Sequence, residues 1–175
     1  MRPAVTKTRS VPQSAWLPWT AVKSKKTEFS LKHRAMRYLA RREHSRAELY
    51  AKLLPHVQED DDLDAVLDEL ERRNWLSDER AAEQMVNQRR SRFGAQRIAH
   101  ELRQRGIDEN LIDAALPQLK ETEFEALHDV WQKKFGVLPQ DAKEKARQVR
   151  FLQSRGFSMG SIFKLLKSGP TPEGD

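Results

Sequence analysis

Clustered arginine and lysine side chains are the residues of this sequence with the clearest potential chemistry. One cluster lies in the stretch 88–97, where Phe93 and Gly94 are expected to provide a buried anchor and a tight turn. Guanidinium groups bind phosphates and carboxylates through paired hydrogen bonds, and two basic clusters in one molecule can follow a polyanion. The predicted partner-binding or DNA-binding residues are Arg89, Arg90, Arg92, Arg97, Arg103, Lys133, Lys134, Lys143, Lys145, Arg147 and Arg150. The alternative for the first three is a solvated helix end, where cations are favourable.

Motifs for catalysis and metal binding are missing from the sequence. The acidic residues Asp60, Asp62, Asp64 and Glu71 have the spacing of a calcium loop, but Ala65 stands where such a loop requires glycine. No histidine has the spacing of a paired metal ligand, and the five are His33, His44, His56, His100 and His128. We therefore predict no catalytic residue, no cofactor, no metal and no enzymatic activity.

The distribution of charge along the chain predicts a polyanionic partner. The net charge is +6, and residues 1–28 contain six basic residues against Glu28, a net of +5. Beyond this segment the charge alternates in blocks, because residues 58–71 contain eight acids and no base, whereas residues 132–167 contain nine bases and two acids. Such a molecule can offer separate basic and acidic surfaces to a partner.

The composition also predicts the cellular compartment. The chain contains no cysteine, which excludes disulfides and fits a reducing cytoplasm. No stretch approaches the ~20 apolar residues of a membrane-spanning helix, and the N-terminus lacks the apolar core of a signal peptide. We expect a cytoplasmic monomer that does not contact the membrane.

Short helices must position these charges, because apolar residues recur at helical spacing throughout residues 31–167. Leu63, Val66, Leu67 and Leu70 form one such stripe, and Ser45 is a suitable N-cap for another helix. The whole pattern predicts nine short helices and an all-α fold.

An internal repeat organises these helices. Six of the 23 residues in 94–116 are identical to those 50 positions later, whereas chance would give roughly one or two. The shared core is a leucine followed by three residues, a glycine and an apolar residue. This order places Gly106 and Gly156 at left-handed helix caps, and Asn74 repeats the same cap chemistry at the end of another helix.

The simplest division of the chain is three repeats of three helices between two terminal segments. We predict repeats over residues 29–75, 76–118 and 119–167. Residues 1–28 are expected to form a disordered basic arm, and residues 168–175 a disordered tail, because both are rich in proline and lack periodicity. A small three-helix unit buries its apolar stripe best against a neighbour, so the repeats should stack into an elongated, curved array.

Three separated motifs resemble the RecX family of recombinase regulators. Residues 39–49, from Leu39 to the Ser-capped helix, are similar to the family's opening segment. Residues 98–107, which end in Arg105-Gly106-Ile107, resemble its central signature, and residues 145–157 resemble its closing unit. The resemblance covers about residues 31–167. The family often has proline after Gly94, where this chain has Ala95.

The resemblance implies a tandem three-helix fold and a partner, the RecA recombinase in its filament on single-stranded DNA. It also implies inhibition of the recombinase, ATPase and co-protease activities of that filament, in DNA repair and the SOS response. The residues alone leave two possibilities open: such a filament regulator, which contacts DNA through the filament or weakly by itself, and a stand-alone helix-turn-helix-like DNA-binding protein.

Overall fold

The computed structural model describes residues 30–168, and the predicted arm over residues 1–28 lies outside this range. Within it the protein is all-α, as the sequence predicts, with a single short 3-10 helix at Leu54–His56 beside the α-helices. The nine α-helices of the described range are α1 (Leu31–Leu39), α2 (Arg46–Leu53), α3 (Leu63–Arg72), α4 (Asp78–Arg89), α5 (Ala95–Gln104), α6 (Glu109–Glu121), α7 (Glu123–Lys134), α8 (Ala142–Ser154) and α9 (Met159–Ser168). None of these helices is long and apolar enough to cross a membrane.

Three separate hydrophobic clusters form the interior, one for each group of three helices. Leu49 and Leu67 are fully buried in repeat 1 (α1–α3), and Ile98 and Leu102 in repeat 2 (α4–α6). Trp131 is the largest buried side chain of repeat 3 (α7–α9). Each repeat therefore has a small core of its own, which confirms the predicted tandem three-helix fold.

Polar side chains begin the helices. The hydroxyl of Ser45 accepts the N–H of Glu48 over 3.1 Å, and the Glu48 carboxylate accepts the N–H of Ser45 over 3.4 Å, so the two residues form a capping box at α2. The hydroxyl of Ser77 accepts the N–H of Arg80 and so caps α4. Asp62 accepts the N–H of Ala65 and begins α3, so the acidic stretch is a helix start and not a calcium loop.

Left-handed residues follow the ends of four helices. The φ angle is 57° at Asn74, 70° at Gly106, 68° at Gly136 and 81° at Gly156. Around Gly106 the N–H of Ile107 donates to the carbonyl of Leu102 over 3.2 Å, which is the long hydrogen bond of a Schellman motif. The side chains of Leu102 and Ile107 are both buried in the core of repeat 2, so the cap at Gly106 turns the chain back onto its own repeat.

Repeat 1 contacts repeat 2 where the turn before α2 meets the end of α5, a contact we name the first junction. The hydroxyl of Ser45 donates to the carbonyl of Arg105, and the Arg105 guanidinium lies 3.4 Å from the Glu48 carboxylate. A Cβ atom on Gly106 would lie only 2.5 Å from the Cβ of Ala47. The two helices therefore approach this closely because position 106 is glycine.

Repeat 2 contacts repeat 3 in a corresponding way where the turn before α5 meets the end of α8, the second junction. The N–H of Gly94 donates to the carbonyl of Arg155 over 3.0 Å. A Cβ on Gly94 would lie 2.2 Å from the carbonyl oxygen of Gly156, and a Cβ on Gly156 would lie 2.4 Å from the Cβ of Arg97. Two glycines thus allow direct contact between backbones of different repeats.

The structure corrects three local expectations. Gly94 has an extended backbone with φ −74°, so its role is close backbone approach and not a tight turn. Phe93 is half-buried beside the core of repeat 2, because one side of its ring faces arginines. Ser168 is the last residue of α9 and not part of the tail, since the nearest strong helix breaker is Pro170. The rest of the predicted tail lies outside the described residues.

Candidate functional site

Basic side chains of repeats 2 and 3 line an open cleft beside the second junction. The cations are Arg92, Lys133, Lys134 and Arg155, Phe151 provides an aromatic wall, and the volume is ≈ 460 Å³. No carboxylate lines this junction cleft, and within residues 30–168 none of the four cations forms an ion pair. The junction cleft is therefore electropositive and has no counter-charge of its own.

The ends of three helices position these cations. Arg92 lies in the turn that follows α4, Lys133 and Lys134 lie in the last turn of α7, and Arg155 is the C-cap of α8. The hydrogen bond from Gly94 to the Arg155 carbonyl fixes the turn against α8. Because helix C-termini have partial negative charge, their convergence lowers the cost of holding several cations together.

Aromatic rings separate the cations and connect them into a strip across the second junction. The Arg155 guanidinium lies 5.4 Å from the ring centre of Phe93 and 5.0 Å from that of Phe151. Phe151 packs edge-on against Phe135 with ring centres 5.4 Å apart, and Arg147 lies 5.8 Å from the Phe135 ring. This cation–aromatic strip from Phe93 to Arg147 combines positive charge with flat apolar surface.

Arg89 and Arg97 extend the strip on the side of repeat 2 but share a carboxylate. The Nε atoms of both lie 3.2 Å from the Glu101 carboxylate, and their guanidinium groups lie 5.6 and 4.8 Å from the Phe93 ring. The second cleft that they border has a volume of ≈ 490 Å³ and is lined by Arg89, Arg97, His100, Glu101, Gln104 and Arg105. Its charge is partly neutralised, in contrast to the junction cleft.

The other predicted cations lie apart from both clefts. Arg103 forms an exposed ion pair with Glu109, and this hydrogen bond raises the pKa of Arg103 and lowers the pKa of Glu109. Lys145 lies 6.0 Å from the ring of Phe163, on the side of α8 that faces α9. The remaining predicted cations are exposed and line neither cleft: Arg90, Lys143 and Arg150.

The acidic helix α3 is engaged by an arginine of its own repeat. Arg46 lies 3.3 Å from Asp64, 2.7 Å from Asp68 and 2.7 Å from Glu71. Among residues 30–168 there is no group of three or more side chains that could hold a metal ion. Because Arg46 occupies three of the carboxylates, α3 has less charge available for a basic partner than its composition suggests.

Four residues that line the junction cleft were not among the predicted site residues: Ser91, Val130, Phe151 and Arg155. Arg155 is one of the six identities of the 50-residue repeat, paired with Arg105, and lies in the segment 145–157. Phe151 stands at a position that helical spacing assigns equally well to a core. Sequence distance hides the relation of Arg155 and Phe151 to Arg92, which reaches them across the second junction. The repeat itself was the available signal, since Arg155 ends α8 as Arg105 ends α5.

Comparison with protein families matches each group of three helices. Residues 32–70 match the first three-helix domain of RecX, residues 77–116 the second, and residues 121–166 the third. The chain belongs to the RecX family. The matched segments lie inside the limits predicted from the sequence, and the ends of those limits stay predictions.

Relatives with the name regulatory protein RecX match most of the chain. The RecX of Leptothrix cholodnii is 45% identical over 144 residues, which cover 82% of this chain and 92% of that protein. The RecX of Chromobacterium violaceum is 46% identical over 140 residues, or 80% and 91% of the two chains.

Two crystal structures of RecX proteins share the fold. One is described as regulatory protein RecX and has a TM-score of 0.69 at 22% identity, covering 81% of this chain and 73% of that one. The other is RecX from Lactobacillus salivarius, with a TM-score of 0.66 at 20% identity and coverage of 79% and 93%. At these identities the likeness concerns the fold alone.

Proposed function

We propose that this RecX-family chain binds the filament of the RecA recombinase on single-stranded DNA and inhibits its recombinase, ATPase and co-protease activities. The family membership is the observation that supports this proposal most directly, because the relatives are named regulatory proteins. The chain would act in the cytoplasm as a monomer, in DNA repair and the SOS response, and without catalysis of its own.

Occupation of the filament surface combined with charge complementarity would account for inhibition without an active site. Repeats 2 and 3 present the cation–aromatic strip, while repeat 1 presents the exposed carboxylates of α3. These surfaces belong to different repeats of one array, so they can meet oppositely charged parts of a long partner at the same time.

A titration of recombinase ATPase on single-stranded DNA tests the proposal. We expect the chain to suppress ATP hydrolysis at substoichiometric amounts, because one bound regulator would affect neighbouring subunits of a filament. Tight binding to one duplex sequence with no effect on hydrolysis would reject the proposal and favour a stand-alone DNA-binding protein.

A charge-reversal variant connects the inhibition to the predicted basic residues. Changing Arg89, Arg90 and Arg92 together to Glu should weaken inhibition, while the helical content measured by circular dichroism stays that of the wild type. The matched control reverses three exposed cations of repeat 1: Arg41, Lys52 and Arg72. Equal inhibition by both variants and the wild type would show that Arg89, Arg90 and Arg92 do not contribute to inhibition.

A further inference from the structure

At each junction the N-cap residue of one helix donates a hydrogen bond to the carbonyl of an arginine in the next repeat, through a hydroxyl at the first junction and a backbone N–H at the second. At the first junction Ser45, the N-cap of α2, contacts the carbonyl of Arg105. At the second junction Gly94, the N-cap of α5, contacts the carbonyl of Arg155. The Arg105 guanidinium has an ionic partner, because it lies 3.4 Å from Glu48. Glu48 also pairs with Arg42 at 3.0 Å, so the first junction supplies its own carboxylate to the arginines around it.

Arg97 of α5 meets Gly156 at the second junction, as Ala47 of α2 meets Gly106 at the first, so the second junction has another arginine beside Arg155. Arg97 and Arg155 stack on the same ring, that of Phe93, at 4.8 and 5.4 Å. Arg97 is paired with Glu101 at 3.2 Å, whereas Arg155 has no carboxylate partner among residues 30–168. An anion supplied from outside would neutralise Arg155 as Glu48 does Arg105 at the first junction.

We infer that the junction cleft is a binding site for the phosphates of single-stranded nucleic acid. Arg92 reaches the junction cleft from repeat 2, whereas Lys133, Lys134 and Arg155 reach it from repeat 3, so one bound strand touches both repeats. This inference deepens the proposed function and rests on it, because it names the component of the filament that repeats 2 and 3 contact.

Single-stranded nucleic acid fits this surface better than an acidic protein segment does. Phe93, Phe151 and Phe135 lie among the cations of the strip, and flat rings beside positive charge suit a chain of stacked bases and regularly spaced phosphates. An acidic peptide supplies carboxylates but no planar groups to use the rings. Since contacts of this kind go to phosphates and ring faces, binding is independent of base sequence.

The salt dependence of oligonucleotide binding tests the site directly. Fluorescence anisotropy would follow the binding of the full chain, without recombinase, to a labelled thymidine homo-oligomer over a range of salt concentrations. Each phosphate contact contributes about 0.7 to the slope of log affinity against log salt for a single strand. The double change Arg92→Gln and Lys133→Gln should therefore reduce that slope by about 1.4 and weaken binding.

A control variant that loses the same charge elsewhere separates binding at the junction cleft from general electrostatic attraction. Arg41→Gln combined with Arg72→Gln also removes two exposed cations, in repeat 1 and outside the junction cleft. This variant should keep the wild-type slope. All proteins in the series retain the basic residues 1–28, so any contribution of that segment is the same in each. The four side chains that the two variants neutralise are all exposed. An unchanged circular dichroism spectrum would verify that both variants fold.

Several results would overturn the inference. These are absence of binding by the wild type, a wild-type slope for the cleft variant, and an equal loss of slope in both variants. Displacement of the oligonucleotide by polyglutamate at equal concentration of charge would identify a carboxylate site instead. The oligonucleotide assay contains no recombinase, so a negative result there does not affect the conclusion from the ATPase titration. Equally, a lack of ATPase inhibition does not affect a binding site measured with the oligonucleotide.

Discussion

Alanine substitutions at three glycines separate the two reasons for glycine in this array. Gly136 has φ 68° and its Cβ would lie 3.4 Å from the nearest atom, so alanine there meets only the backbone cost. Gly94 has φ −74°, but its Cβ would lie 2.2 Å from the carbonyl oxygen of Gly156, so alanine meets only a packing cost. Gly106 combines φ 70° with a Cβ that would lie 2.5 Å from Ala47.

The expected losses in free energy of unfolding follow from these geometries. A left-handed backbone costs an alanine about 1–2 kcal/mol. Insertion of a methyl group into a close-packed contact costs about 1–3 kcal/mol. We therefore expect a loss of about 1–2 kcal/mol for Gly136→Ala, about 1–3 for Gly94→Ala and about 2–5 for Gly106→Ala. A valine at position 106 should lose more than alanine, because a β-branched residue resists positive φ further.

Urea unfolding followed by circular dichroism measures these differences through the midpoint and slope of each transition. Because Ala47→Gly has a cost of its own in α2, the double variant Gly106→Ala with Ala47→Gly is compared with Ala47→Gly alone, and there Gly106→Ala should cost only the backbone part of the loss. If Gly106→Ala is no less stable than Gly136→Ala, then Ala47 does not hold the first junction. Wild-type stability of Gly94→Ala would refute the backbone contact at the second junction.

Three further predictions concern buried polar groups. Gln148→Leu should cost about 1–3 kcal/mol in urea unfolding, because it leaves the indole N–H of Trp131, now 2.8 Å from Gln148, without an acceptor; a loss near zero would contradict this. Ser45→Ala should lower stability by about 1–2 kcal/mol, since it removes a capping box and the contact with Arg105, and Ser30→Ala, a plain N-cap, should cost less. Burial lowers the pKa of His44, so on acidification the unfolded chain binds a proton at this histidine before the folded protein does. Stability should therefore fall as the pH drops below about 6.5 towards the lower pKa of the folded state. The same pH dependence of stability in His44→Gln would show that His44 does not contribute.

The helices, their caps and the repeat could be predicted from the sequence because they depend on near neighbours. Apolar spacing determines which face of each helix is buried, and Gly106, Gly156 and Asn74 stand where a chain reversal requires positive φ. The 50-residue shift then relates two reversals, and stacking follows because one three-helix unit has little core of its own. A polyanionic partner also followed from composition, as an expectation that rests on charge alone.

Which cations act together was decided only by the tertiary structure. Arg103 and Arg92 look alike in the sequence. In the structure α6 brings Glu109 to Arg103, whereas packing at the second junction brings Lys133 and Arg155 to Arg92. The strength of charge interactions depends on separation in space, and that separation is set where repeats pack through Gly94 and not by position along the chain. The sequence thus determined that the molecule is a charged helical array, and the packing of its repeats determined where the charge is left without a partner.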